Sequence, residues 1–142
     1  MSGDLVIDAS VAVKWFVSED ASDKADEVSA SNYTLLAPRL IIIEVANAFA
    51  RKAMQKLITP LEAAEYVRTL PQFLAGLLDV DDLMEPALQN ACIHRHPVYD
   101  FVYLEAARRR DTKMLTADQK FITRVKGTNF AKLVIPLSEW RA

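Results

Sequence analysis

The sequence is poor in the residues on which several common chemistries depend. Only three of its 142 residues are glycine (Gly3, Gly76 and Gly127), and no two lie near each other. A GxGxxG dinucleotide turn, a phosphate-binding P-loop and a GxSxG nucleophile elbow all need clustered glycines, so all three are excluded. A single cysteine, Cys92, rules out an intramolecular disulfide and any cysteine-rich zinc site. Imidazole chemistry is restricted to His94 and His96. Apolar runs such as residues 40–43 fall far short of a membrane span. The first residues lack the basic stretch and apolar core of a secretory signal. With one unpaired thiol, the cytoplasm is the expected compartment.

What the sequence has is carboxylates. There are 19 Asp and Glu against 17 Lys and Arg, a net charge of −2, in a chain that is 51% hydrophobic and 25% charged. This is the composition of a soluble globule, and the length suits one domain over residues 1–142 with a core of its own. The small net charge hides a division. Residues 1–107 hold 8 Lys and Arg against 16 Asp and Glu, whereas residues 108–142 hold 9 against 3. The two parts thus carry −8 and +6, so the whole-chain charge is a poor guide to local potential. The run Arg108-Arg109-Arg110 is open to two readings: a nucleic-acid contact, or a solvated helix end whose cations suit the helix dipole.

Short apolar segments alternate with helical patterns along the chain. Residues 5–7, 33–37, 77–80, 113–116 and 133–135 read as strands. Helices are predicted from about residue 11 with Ser10 as cap, over 20–29, 39–56 with Pro38 in the first turn, and 60–70. Further helices are predicted from Asp81 or Asp82 to 94, from Pro97 to 110, and over 119–125. Thr59-Pro60-Leu61-Glu62 has the form of a capping box with proline at the first helical position. The helix at 39–56 is apolar almost all round, which predicts burial. No repeat or linker interrupts the pattern. It implies a single α/β domain with helices layered on a mostly parallel sheet.

In such sheets ligands bind outside the carboxyl ends of the strands, at a switch in strand order. Asp8 directly follows the first strand, Asp118 follows the strand at 113–116, and Asp100 stands in the first turn of the helix opened by Pro97. Each also has an ordinary structural reading. Asp8 suits a strand-end turn, Asp100 the positive end of a helix, and Asp118 a capping box with Thr116 as cap. Glu44 is harder to explain in that way. It interrupts Leu40-Ile41-Ile42-Ile43-Glu44-Val45-Ala46, and its neighbours one turn away (Leu40, Ile41, Asn47 and Ala48) include no cation. A carboxylate there needs a compensating charge, either a distant Arg39, Arg51 or another basic residue, or a metal. Together the four acids form an oxygen-donor set of the kind that Mg2+ or Mn2+ prefers. Such a site can activate water and clamp the oxygens of a phosphodiester.

Val6-Ile7-Asp8-Ala9-Ser10, Glu44 in its apolar helix, Tyr99-Asp100-Phe101-Val102-Tyr103-Leu104 and Leu115-Thr116-Ala117-Asp118-Gln119-Lys120-Phe121 together resemble the PIN-domain family. More narrowly they are similar to the VapC ribonuclease toxins of prokaryotic toxin–antitoxin pairs. The resemblance covers essentially the whole chain. A YDxxYL segment followed by TADxxF is fairly specific, whereas the opening DAS alone is weak. The resemblance implies a three-layer α/β/α fold and a Mg2+- or Mn2+-dependent endoribonuclease acting on structured RNA. In it Asp8, Asp100 and Asp118 would hold metal, directly or through water. Glu44 would position a water or complete the metal shell. Ser10 and Thr116 match supporting hydroxyl positions. Arg108, Arg109, Arg110 and Lys120 would meet RNA phosphates, which makes binding salt-sensitive. A homodimer and a VapB-like antitoxin are implied as partners.

Glu105 departs from the pattern, since the family helix usually continues with a small residue. It lies five positions beyond Asp100 and points about 140° away, so it is not expected to be a ligand. His94 and His96 are also outside the pattern and read as a helix cap or solvated residues. Tyr99, Phe101 and Tyr103, like Trp15 and Phe16, read first as core. For an oligomeric interface, residues 11–17 and 70–78 are apolar candidates, with core burial the simpler account. Three alternatives stay open. A standalone PIN-domain RNA-processing nuclease would lack the antitoxin. An aspartate-nucleophile phosphohydrolase would want a second Asp where Ser10 stands. A non-catalytic binding module would not need all four acids.

Overall fold

The computed structural model describes residues 3–142. Among these residues five strands form one sheet: β1 (Asp4–Ile7), β2 (Thr34–Pro38), β3 (Gly76–Leu78), β4 (Lys113–Thr116) and β5 (Val134–Pro136). Every pairing is parallel, and the order is β3-β2-β1-β4-β5. The chain therefore winds outward from β1 through β2 to β3, then returns to the other side of β1 for β4 and β5. The order reverses between β1 and β4, and at that point a crevice opens beyond the strand ends. Register places Ile7 beside Leu115, so the residues following β1 and β4 emerge together.

Among the described residues seven α-helices connect and flank the strands: α1 (Ala9–Ala12), α2 (Ser22–Ser29), α3 (Leu40–Met54), α4 (Pro60–Thr69), α5 (Met84–His94), α6 (Val98–Arg109) and α7 (Gln119–Val125). The three-layer α/β/α expectation holds. Helix α3 packs on α1 and α4, whereas α5 packs on α6, which lies across β1, β2 and β4. Apolar strand residues are buried on both faces, as a covered parallel sheet requires: Leu5, Val6, Ile7, Met114 and Leu115 are all at most 3% exposed. Residues 11–17 and 70–78 serve the core. Val11 and Leu70 are fully buried, Trp15 stacks on Phe73, and Phe16 packs on Phe49 and Tyr66. Among the described residues no helix is long and apolar enough to cross a membrane.

Local chemistry accounts for several departures from the sequence reading. Asp8, not Ser10, caps α1, because its extended backbone lets the carboxylate accept from the Ser10 amide. Pro38 closes β2 instead of opening α3: the strand stays extended to pair with Leu78, whose carbonyl takes the Arg39 amide at 2.9 Å. Neither Asp81 nor Asp82 caps α5. They lie in a 3-10 turn (Asp81–Leu83), and α5 follows without a side-chain cap. The capping box of α4 forms as read, with Thr59 Oγ1 accepting from the Glu62 amide and Glu62 Oε1 from the Thr59 amide. Helix α3 is not buried all round. Only the stripe Ile41, Val45 and Phe49 is enclosed, and Ile43 and Met54 face outward. The enclosed helix is α6, in which every residue from Asp100 to Ala107 is buried.

Candidate active site at the carboxyl edge of the sheet

Asp8, Glu44, Asp100 and Asp118 converge on one cleft of about 550 Å3, which Ser10, Asn47, Arg51 and Tyr99 also line. Four separate elements deliver the acids. Asp8 follows β1, Asp118 follows β4, Asp100 sits in the first turn of α6, and Glu44 projects from the second turn of α3. The first two meet because their strands are neighbours at the reversal of strand order.

The best-held acid is Asp8. It is 4% exposed, and its Oδ2 accepts hydrogen bonds from the Ser10 amide (3.2 Å), the Ser10 hydroxyl and the Thr116 hydroxyl (3.0 Å). The other oxygen, Oδ1, takes none of these. Thr116 Oγ1 in turn accepts from the Asp118 amide at 3.1 Å, and Ser10 Oγ from the Ala117 amide at 2.9 Å. The two hydroxyls expected to support the site thus tie the ends of β1 and β4 together. Asp118, not Thr116, caps α7: its Oδ1 accepts from the amides of Lys120 (3.0 Å) and Phe121 (3.3 Å).

Electrostatically the cleft is overloaded with negative charge. Burial raises the Asp8 carboxyl above its ordinary range, against the lowering effect of the Ser10 and Thr116 hydrogen bonds, with Asp118 adding to the rise. Glu44 is raised by burial and by Asp8 and Asp118, while the neighbouring Tyr103 hydroxyl lowers it. Asp100 is pushed up to about 8 by burial and by the charges of Asp8, Asp118 and Glu44. Among the described residues no Lys or Arg forms an ion pair with any of the four. Glu44 Oε1 and the Tyr103 hydroxyl are buried without a well-formed hydrogen bond. Burial and the adjacent carboxylates keep that phenol protonated.

One residue of the cluster was discounted in the sequence. His96 is no solvated helix end: its side chain is 8% exposed and its Nε2 lies 2.6 Å from Asp100 Oδ2. Burial lowers the basicity of the ring. The i,i+4 spacing of His96 and Asp100 was visible. The turn that carries His96 back over α6 was not. His94 stacks on Phe101 and packs edge-on to Phe130, away from the carboxylates. Phe101 and Tyr103 are core as expected, whereas Tyr99 is half exposed at the cleft.

The arginines do not join the acids. Arg108 and Arg109 lie at the other end of α6, where both bind Glu105, and Arg110 pairs with Asp4 at the start of β1. Arg51 is the basic side chain that lines the cleft, and Lys120 is exposed two residues after Asp118.

The donor set fits a divalent cation. Four carboxylates forced together with, among the described residues, no Lys or Arg paired to them, one with a buried oxygen lacking a well-formed hydrogen bond, are stable in their charged forms only with more positive charge among them. A bound ion would relieve the repulsion that now favours protons.

Comparison with known proteins agrees with this architecture. The sequence pattern of the PIN domain matches residues 5–127. The chain is 28% identical over 134 residues to Ribonuclease VapC3 from Pyrobaculum aerophilum, covering 93% of this chain and 98% of that protein. Among solved structures, the crystal structure of PAE2754 from Pyrobaculum aerophilum superposes with a TM-score of 0.67. That match spans 97% of this chain and 93% of the other at 20% identity, and speaks to the fold alone.

Proposed function

Because the chain belongs to the PIN-domain family, we propose that it is a divalent-metal-dependent endoribonuclease of the VapC kind, cleaving phosphodiester bonds in structured RNA. The observation that carries this reading is the gathering of Asp8, Glu44, Asp100 and Asp118 in one cleft where, among the described residues, no Lys or Arg forms an ion pair with any of them. Asp8, Asp100 and Asp118 would hold Mg2+ or Mn2+, and Glu44 would position a water or complete the shell. The bound ion supplies charge neutralisation at the phosphate and a water acidic enough to act as nucleophile near neutral pH.

The chain's own residues prepare the rest. Ser10 and Thr116 fix Asp8 through Oδ2, and the first amides of α7 fix Asp118 through Oδ1, so neither carboxylate has to be ordered when substrate arrives. Tyr103 is fully buried and places its protonated hydroxyl beside Glu44, limiting where that flexible side chain can turn. Arg51 on the cleft wall and the exposed Lys120, two residues after Asp118, would meet backbone phosphates flanking the cleaved bond. The similarity to a VapC protein further supports a toxin role with a VapB-like antitoxin, and the proposal includes a homodimeric state.

The test is cleavage of a folded RNA and an unstructured RNA of equal length, with Mg2+, with Mn2+ and with EDTA. Cleavage should require the ion and favour the folded substrate. Asp8→Asn should lower the rate about 10³-fold, as loss of several kcal/mol of metal-assisted stabilisation implies. Activity that survives both EDTA and Asp8→Asn would overturn the mechanism.

A further inference from the structure

His96 stands beside Asp100 and Asp118 as a nitrogen donor that the acidic set does not account for, and its position is built by the backbone. Helix α5 ends at Arg95 in the left-handed conformation (φ 52°), which turns the chain so that the His96 amide donates to the Ala91 carbonyl at 3.1 Å. Pro97 then caps α6. The imidazole is held between Phe101 and Phe121, with ring centroids 6.0 and 5.2 Å away. Held in this way, it presents Nε2 to Asp100 Oδ2 at 2.6 Å. One ligand atom each from His96, Asp100 and Asp118 lies within 4.8 Å of the others, close enough to share one ion after small side-chain rotations. Tyr103 is fully buried and turns its hydroxyl toward the same group of carboxylates, beside Glu44 Oε1, with neither atom in a well-formed hydrogen bond.

We propose that His96 is a metal-specificity residue, supplying an imidazole nitrogen alongside Asp100 and Asp118 and so biasing the site toward Mn2+ over Mg2+. The inference rests on the divalent-cation reading above and refines it. Mg2+ is a hard ion that keeps oxygen ligands and releases its waters reluctantly, so a nitrogen donor gives it little. Imidazole suits transition metals, and Mn2+ accepts a mixed nitrogen and oxygen set. When the ion binds, His96 exchanges its contact with Asp100 for a bond to the metal, and Asp100 is freed to coordinate it as well.

The experiment uses the full chain stripped of metal. Mn2+ and Mg2+ affinities are measured by calorimetry for the unaltered protein, for His96→Gln and for Asp118→Asn. Pulsed electron paramagnetic resonance of the Mn2+ form reads directly bonded nitrogen. Glutamine keeps an amide donor for Asp100 and removes the imidazole. The expected result is about a tenfold or greater preference for Mn2+ that collapses in His96→Gln, chiefly through weaker Mn2+ binding. A nitrogen coupling should be present in the unaltered protein and lost in the variant. Absence of that coupling from the unaltered protein, or an unchanged Mn2+/Mg2+ ratio in His96→Gln, would show that His96 merely hydrogen-bonds Asp100. Failure of the unaltered protein to bind either ion would instead bring down the cation reading itself. Loss of binding in Asp118→Asn would uphold it whatever His96 does. The spectroscopic arm needs no variant, so a folding defect in His96→Gln cannot shield the proposal.

Discussion

Helix α6 buries two carboxylates five residues apart, and they meet opposite surroundings. Glu105, 4% exposed, receives Arg108 through Nε (2.9 Å) and Nη2 (2.6 Å) and Arg109 through Nε (2.9 Å). The arginine hydrogen bonds outweigh burial and hold its carboxyl below the ordinary glutamate range. Asp100, 9% exposed, looks toward Asp8, Asp118 and Glu44, has His96 as its near neighbour, and is pushed up to about 8. One helix thus shows a buried charge whose compensation is supplied from within the chain and another whose compensation is missing. Glu105 is a structural joint. Asp100 is a group kept at a cost in stability, and such groups cluster at functional sites.

The sharpest way to break the contrast is Asp100→Asn. RNA cleavage should fall by about 10³-fold, because a metal-binding charge is lost. Stability of the metal-free protein should move the other way. Between its unfolded pKa near 3.8 and its folded value of about 8, Asp100 keeps a proton in the folded state that the unfolded state has released. Folding stability therefore falls as pH rises across that window. Melting curves in EDTA from pH 4 to 8 should show a steeper decline for the unaltered protein than for Asp100→Asn. A divalent cation at about 100 times its Kd should restore roughly 2.7 kcal/mol to the unaltered protein. Identical pH profiles for the two proteins would remove the contrast between the two carboxylates.

At the other end of α6, Glu105→Gln tests the compensated charge. The arginines are 54% and 40% exposed, so they return to water when their partner goes, and the loss is set by the hydrogen bonds at about 2 kcal/mol. In a chain of this length that lowers Tm by roughly 5 °C. The folded pKa of Glu105 lies below the unfolded one, near 4.5, so its contribution is complete above that pH and fades as pH falls through the folded value. Melting curves should separate the variant from the parent at pH 7 and converge at strongly acid pH, with cleavage unchanged within about twofold.

These two residues also mark how far the sequence was legible. The five strands, the capping box of α4 and the acids after β1 and β4 follow from short-range patterns, and those patterns survive in the structure. Glu44 stood out because an apolar helix offers no local cation, and among the described residues none pairs with it from elsewhere. What stayed hidden depends on long-range geometry. The arginine run reads equally as a nucleic-acid contact or a helix end, and what the sequence does not show is that α6 carries it away from Asp100 and brings two of its members onto Glu105. His96 reads as a helix end until the left-handed turn at Arg95 brings its ring beside Asp100. The all-round apolar character of α3 predicted burial that α6 has instead, because only α6 lies across the three central strands.

The smallest expected effect concerns how the uncompensated acids are held without cations. Thr116 is fully buried, donates to Asp8 Oδ2 at 3.0 Å and accepts from the Asp118 amide at 3.1 Å, so one hydroxyl spans two of the four carboxylate positions. Thr116→Val preserves shape and β-propensity while removing that link. Asp8 keeps its bonds from Ser10, so the carboxylate loosens but stays in place. Cleavage should fall about tenfold, the scale typical of residues that orient metal ligands, with weaker metal binding accounting for most of the loss. The Asp118 amide also loses its acceptor, which adds about 1 kcal/mol of destabilisation. Saturating Mn2+ should recover most of the rate in Thr116→Val and none in Asp8→Asn. A Thr116→Val enzyme with full activity at limiting metal would mean that the carboxylates are ordered by the ion alone.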